Sequence, residues 1–408
     1  MGVIFNEAEA VWEWLMTHLI VINLLFSIII IFFQRRDPRS VWTWLFALNF
    51  IPVFGIIFYL LFGQDLKKSR MFKVKGISDR LNMPVKSQEE IIRSSDIPEE
   101  MMDPLIRDFR SLILYNLETS GAVLTTDNQV KIYTDGQAKF EGLRTALRRA
   151  SRFIHIQYYI IKNDEVFDSI VPILEDKVRE GVEVRILYDG MGGRFMPKRR
   201  WEELRRAGIL VGVFFPPILG WLNLRVNYRN HRKIVVIDGN VGFVGGFNIG
   251  REYISKDPGF GYWRDTHLRI TGEAVMSLQI RFALDWNYAT GENLFKNEAY
   301  FRTDLKKKTD VRRDKERPAW PDPELEGSQV GMQIIASGPD TREPHIRNNY
   351  LELFHKAKHH IYIQTPYFVP DDAIFSALKM AALSGVDVRL MIPCKPDHPF
   401  VYRATCSY

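Results

Sequence analysis

His231 and Lys233 stand two positions apart in Asn230-His-Arg-Lys-Ile-Val-Val-Ile-Asp238, at the head of a β-prone run. On a strand, alternate side chains share a face, so His231 and Lys233 project together while Arg232 points the other way. An imidazole beside an ammonium suits chemistry on a phosphodiester. Neutral histidine can attack phosphorus to give a covalent phosphohistidine, and lysine offsets charge on the non-bridging oxygens. Basic side chains that supply this stabilisation make a metal unnecessary; no acidic metal cluster accompanies the pair, and no cofactor is called for. Downstream, Gly245 and Gly246 permit close backbone approach to a substrate, and Asn248 can donate to a phosphate oxygen.

The elements that must hold these groups are legible around them. Residues 233–237 read as a strand, Gly239-Asn240 as a two-residue hairpin turn, and residues 241–244 as the partner strand. From about Val123, short β-rich runs alternate with helical stretches, the pattern of an α/β layer fold. Residues 142–150 and 167–180 are expected to be helices, and 153–161 and 182–188 strands. The order then returns. Ala150, Ile154, Ile156 and Gln157 recur in the same spacing as Ala357, Ile361, Ile363 and Gln364, and Gly181-Val182-x-Val184-Arg185 recurs as Gly385-Val386-x-Val388-Arg389. A collinear series of this kind points to a duplicated domain.

The beginning of the chain is different. Residues 15–33 and 41–62 are uncharged apolar runs, each close to the roughly 20 residues a helix needs to span hydrocarbon. A short charged loop with Arg35, Arg36 and Arg39 joins them, and Trp12, Trp14, Trp42 and Trp44 lie near their boundaries, where amphipathic rings are favoured. Glu7, Glu9 and Glu13 precede the first run, which argues against a signal peptide. The expectation is a two-helix transmembrane hairpin, with Pro52 and Gly55 able to kink its second helix or make the pair re-entrant. Lys67, Lys68, Arg70, Lys73 and Lys75 follow it, so the positive-inside rule favours a cytoplasmic globular part of a multi-pass cell-membrane protein. A net charge of +6 and a pI near 9.1 suit anionic partners. Two cysteines, Cys394 and Cys406, have no ligand spacing around them and are expected to be buried and inert. The expected organisation is a hairpin (1–62), a connector (63–118) with an amphipathic helix at 102–117, a first domain (119–292), a charged linker (293–330) and a second domain (331–408).

His231-x-Lys233-x4-Asp238-x6-Gly245-Gly246-x-Asn248 resembles the HKD signature of the phospholipase D superfamily. Arg35-Arg-Asp-Pro-Arg-Ser40, Asn227-Tyr-Arg-Asn-His-Arg-Lys-Ile234, Trp263-Arg-Asp-Thr-His267 and Gln364-Thr-Pro-Tyr-Phe368 narrow the resemblance to bacterial cardiolipin synthases, along essentially the whole chain. That resemblance implies duplicated α/β/α sandwich domains behind the membrane hairpin. It also implies transfer of a phosphatidyl group between two phosphatidylglycerol molecules, giving cardiolipin and glycerol through a phosphatidyl-histidine. By position, His231 becomes the nucleophile or its acid/base partner, and Lys233 the phosphate contact. The signature counts Asp238 among its catalytic residues, although its place at the hairpin turn suggests a brace. Superfamily members set a carboxylate where Asp265 lies, which makes Asp265 the candidate to orient His231.

The departure from the family lies in the second repeat. No other H-x-K-x4-D occurs in the 408 residues, and His398 is not followed by lysine two positions on. The repeat spacing puts the second histidine beyond Tyr408, so the expectation is a C-terminally truncated copy with little or no synthase activity by itself. Phosphatidylglycerol and anionic membrane lipids are the expected partners, nucleic acid is not, and a homo-oligomer is compatible with the sequence. Two alternatives share the motif: a membrane-bound phospholipase D-type hydrolase, and a non-catalytic lipid-binding form.

Overall fold

Proline has no N–H to donate and its ring does not fit inside a continuous helix, and residues 41–62, interrupted by Pro52, do not form one helix. A computed structural model describes residues 13–14, 17–19, 21–33, 38–62, 88, 92, 104–216, 229–301, 329–338, 341, 343–394, 397 and 399–408. In it the run breaks at Ile51 into α1 (Pro38–Phe50) and α2 (Pro52–Phe62). The fold-back is tight: a Cβ on Gly55 would lie 2.1 Å from the carbonyl oxygen of Ala47, so only glycine fits. Tyr59 is buried there with Ile30 and Leu48, its ring meeting Phe26 and Trp44 edge-on at 5.4 Å each. At 1.5 Å per residue, α1 and α2 are about 20 and 17 Å long, short of the ~30 Å of a hydrocarbon core. Among the described residues no helix is long and apolar enough to cross a membrane. Loop residues 34–37 and most of the connector and of the charged linker lie outside the described residues.

The chain divides into two compact units, residues 1–68 with 215–229 and residues 69–214 with 230–408. The second is built on an eight-stranded sheet. Its strands are β1 (Thr125–Tyr133), β2 (Phe153–Tyr158), β3 (Glu183–Asp189), β4 (Leu210–Phe214), β5 (Ile234–Ile237), β6 (Val241–Gly245), β7 (His267–Thr271) and β8 (Val330–Met332). They run in the order β4-β3-β2-β5-β6-β7-β1-β8. β2, β3 and β4 are parallel, and the remaining pairings are antiparallel. The longer helices of this part of the unit are α3 (Arg110–Ser120), α4 (Gly136–Arg148), α5 (Val171–Arg179), α6 (Lys198–Arg206) and α7 (Ala274–Thr290).

Every residue of β2 is buried, as a central strand covered on both faces requires. Ile154, Ile156 and Tyr158 join Phe140, Leu143 and Leu147 of α4 in one core. Each fully buried Leu or Phe contributes about 1.5–3 kcal/mol. Two of the alternate residues of β2, His155 and Gln157, are polar and meet α7. There His155 Nδ1 pairs with Gln279 at 3.0 Å, its ring stacks on Phe282 at 4.5 Å, and Gln157 donates to Asp285 at 2.7 Å.

A second parallel β-α-β unit follows. α8 (His345–Lys356) precedes β9 (His360–Gln364), α9 (Asp372–Leu383), β10 (Asp387–Met391) and α10 (Pro399–Thr405). β9 and β10 pair in parallel as β2 and β3 do, over a small core of Phe354, Ile361, Ala377 and Leu378.

Four local expectations need correction. The stretch 167–180 is two helices, Glu165–Asp168 and α5, because Pro172 opens a new first turn. The strand expected at 153–161 ends at Tyr158. Asp238 and Gly239 both have left-handed φ, 55° and 73°, so the hairpin turn centres on them, one residue earlier than read. Asp tolerates that region better than most residues, and the dipeptide is a favoured pair there. Finally, Cys394 and Cys406 are exposed free thiols, each at the end of an element in the thinly packed second repeat.

Candidate active site

β5 begins at Ile234, and His231 to Lys233 lead into it. Lys233 is buried and His231 exposed. The Lys233 ammonium donates to the His231 carbonyl at 2.8 Å, with its Nζ 3.1 Å from Nδ1 and 3.3 Å from Nε2 of the imidazole. Tyr159 backs both: its ring centre lies 4.7 Å from that of His231 and 5.5 Å from Lys233 Nζ. Burial, and then the Lys233 charge, pushes the His231 imidazole down to about 4. Burial lowers Lys233 to about 7, with Asp265 opposing the shift. At neutral pH the site therefore presents an unprotonated imidazole next to a cation held ready to give up its proton.

Gly245 and Gly246 end β6 against the segment that enters β7. A Cβ on Gly246 would sit 1.9 Å from Asp265 Oδ1, and one on Gly245 would sit 2.4 Å from the His267 Cα. These glycines thus make room for Asp265 and His267, in addition to any approach of substrate. Burial raises Asp265 while the Thr266 N–H, at 2.7 Å, and the Lys233 charge pull it back. Asp265 thus acts electrostatically on Lys233, and among the described residues no hydrogen bond joins it to His231. Asn248 is 4% exposed, and its amide is engaged at both ends. Oδ1 accepts from Ile160 N at 3.1 Å and Nδ2 donates to the Tyr253 hydroxyl at 2.7 Å, so Asn248 pins the end of β2's extension to the chain beyond β6.

Asp238 lies at the opposite end of β5, roughly 20 Å along the strand from His231 at 3.3 Å per residue. Its carboxylate accepts from the N–H groups of Ser151, Arg152 and Phe153, each at 2.8 Å, and from the Ser151 hydroxyl at 3.0 Å. It ties the turn to the entry of β2.

Several polar groups escaped the sequence reading. Lys139 of α4 is fully buried, its ammonium donating to the Tyr158 hydroxyl at 2.8 Å and lying 3.8 Å from the Phe140 ring centre. Burial holds it well below the usual lysine range. His267 is fully buried too, and burial first, then the Lys139 and Lys233 charges, hold it neutral. Arg264 donates to Gln364, so the first repeat's Trp-Arg-Asp-Thr-His segment touches the second repeat's Gln-Thr-Pro-Tyr-Phe segment. A lysine among apolar helix neighbours was the one available signal for Lys139; the other contacts join residues far apart in the chain.

The family described as cardiolipin synthase, PLD-like domain, matches residues 143–260 and 350–408, and one described as phospholipase D-nuclease N-terminal matches residues 21–64. A cardiolipin synthase of Listeria innocua is 42% identical over 398 residues, which cover 97% of this chain and 78% of that one. A cardiolipin synthase of Staphylococcus aureus is 46% identical over 387 residues, covering 94% and 74%. Among solved structures, a phosphatidylserine synthase of Haemophilus influenzae aligns at a TM-score of 0.43 and 15% identity, over 68% of this chain and 66% of that one. With relatives of that identity matched over nearly its whole length, the chain belongs to the cardiolipin synthase family of phospholipase D-like proteins.

Proposed function

We propose that the protein transfers a phosphatidyl group from one phosphatidylglycerol to the glycerol hydroxyl of another, with His231 as the covalent carrier. The observation that carries this reading is the contact of Lys233 Nζ with the imidazole at 3.1 Å, beside an exposed, neutral His231. The imidazole nitrogen attacks phosphorus, the bond to the departing glycerol oxygen breaks, and Lys233 offsets the charge that builds on the non-bridging oxygens. The acceptor hydroxyl then attacks the phosphatidyl-histidine and frees the imidazole. The proton lost by the acceptor balances the one gained by the glycerol. Asp265 favours the charged form of Lys233 against the burial that lowers it, while Gly245, Gly246 and Asn248 shape the backbone around the phosphate.

The N-terminal unit supports a membrane location. Leu24, Leu25, Phe32, Trp42, Phe46, Phe50, Phe54 and Phe58 are all exposed, an apolar surface that suits lipid rather than water. We place this hairpin in the bilayer of the cell membrane, with the sheet-bearing unit on the cytoplasmic side. Labelled phosphatidylglycerol vesicles mixed with the purified full chain test the reaction, and turnover there would also overturn the expectation that these 408 residues have little synthase activity by themselves. Cardiolipin and glycerol as products support transfer, phosphatidate supports hydrolysis by water instead, and binding without turnover supports a non-catalytic lipid-binding role.

A further inference from the structure

We propose that Asp285, in the middle of α7, is the positioning residue for His231, acting by holding the residues on either side of it. The inference rests on His231 being the reactive group. Asp285 is fully buried. One of its oxygens, Oδ2, accepts from Arg232 Nη1 at 2.8 Å, from Asn230 Nδ2 at 2.9 Å and from Gln157 Nε2 at 2.7 Å. A second buried carboxylate reinforces the grip: Asp189, at the end of β3, accepts from the Asn230 N–H at 2.9 Å and from Met191 N at 2.8 Å. The Asn230 side chain in turn accepts from the Arg232 N–H at 3.2 Å.

His231 therefore sits between two residues fastened to the α7 face of the sheet. Backbone alternation sends its own side chain to the other side, where Lys233 and Tyr159 receive it. This fastening matters because residues 230–233 precede β5 and take no part in the ladder that holds Ile234–Ile237 to β2 and β6. A buried carboxylate with three donors is a costly way to fill a core site, since an apolar residue of similar volume is often at least as stable there. What the carboxylate adds is direction: it accepts from groups on both sides of one side chain and fixes which way that side chain points.

Two readouts test the role, one of them independent of the reaction. In Asp285→Asn and Arg232→Gln the lead into β5 loosens. Turnover of phosphatidylglycerol to cardiolipin is expected to fall on the order of 10–100-fold in kcat with KM within about threefold, the signature of lost orientation. Ring-labelled histidine NMR follows His231 itself. Its titration midpoint, near 4 when it is packed against Lys233, is expected to move toward the ordinary ~6.5 in both variants. An unmoved His231 titration in a folded variant overturns the positioning role, whatever the enzyme's products. A moved titration with wild-type enzyme that makes no cardiolipin keeps Asp285 as the positioner and removes the reaction assigned to His231. Asp285→Glu, which keeps the charge, is expected to recover part of both readouts; no recovery alongside a normal melting temperature also counts against the proposal.

Discussion

Replacing Asp238 with Asn separates a brace from a catalyst. In the native turn, Oδ1 accepts from the N–H groups of Arg152 and Phe153, and Oδ2 from the N–H and hydroxyl of Ser151. Asparagine can keep the first pair with its amide oxygen, but it turns an NH2 toward the second pair, setting donor against donor. Hydrogen bonds to a charged acceptor are worth about 1.5–3 kcal/mol each, and Ser151 is exposed, which places this loss near the low end, at about 3 kcal/mol for the two. For a unit of this size that is a fall of roughly 6–12 °C in Tm, at ~2–4 °C per kcal/mol. Asp238→Ala loses all four bonds and also puts a Cβ residue without a local hydrogen bond at φ 55°, which adds roughly 1–2 kcal/mol. Thermal unfolding in detergent, with cardiolipin formation measured per folded molecule, reads both effects. The expected result is a clear loss of Tm with turnover per folded molecule within about threefold of wild type. A Tm within about 2 °C of wild type, well short of the ~6 °C that the hydrogen-bond count sets as its smallest loss, together with a ~100-fold fall in turnover would refute the reasoning and return Asp238 to the chemistry.

Other outcomes follow from the same geometry. The free-enzyme kcat/KM should rise with pH through about 4, as His231 loses its proton, and fall through about 7, as Lys233 loses its own; Lys233→Arg, always charged, should remove the upper limb, and a flat profile from pH ~5 to ~9 contradicts these assignments. Lys139→Met should raise Tm by a few degrees at neutral pH, because the unfolded chain binds a proton that the buried amine resists binding. The gain should shrink as pH rises toward ~10.4, where the unfolded lysine also loses its proton; a lower Tm for the variant at pH ~7 counts against an amine that burial keeps from its proton. Gly246→Ala should drive Asp265 from its seat, since the new Cβ would lie 1.9 Å from Oδ1; cardiolipin formation is expected to drop at least ~10-fold, and wild-type activity would remove Asp265 from the site.

The parts of this molecule that repeat or alternate could be read from the chain. Short β-prone runs and a turn signal located β2, β5 and β6, and the shared face of His231 and Lys233 followed from a period of two that persists just beyond the strand. The recurrence of Ile154-x-Ile156-Gln157 as Ile361-x-Ile363-Gln364 reappears as the parallel pairs β2–β3 and β9–β10. Pro52 and Gly55 marked the trouble in the second apolar run, but not that the helix would fold back on itself, which depends on contact between Gly55 and Ala47. What stayed hidden was the polar layer between sheet and helix. Asp285 in Phe-Ala-Leu-Asp-Trp and Gln157 in a buried strand each look like isolated exceptions to an apolar pattern. Only the packing of α7 on β2 brings them to Asn230 and Arg232, residues remote in sequence. The exposed cysteines were misread for a related reason, since composition cannot report how thinly one element is covered.

The most direct test is single substitution of the reactive pair. His231→Gln and Lys233→Met, each purified as the full chain and matched to wild type in Tm, should lose cardiolipin formation from labelled phosphatidylglycerol by ~1,000-fold or more. Acid-labile label retained on the protein during turnover should vanish in His231→Gln. Cardiolipin formation within tenfold of wild type (about 1.4 kcal/mol) in His231→Gln, with label still bound, would contradict the assignment of this histidine and this lysine to the phosphodiester.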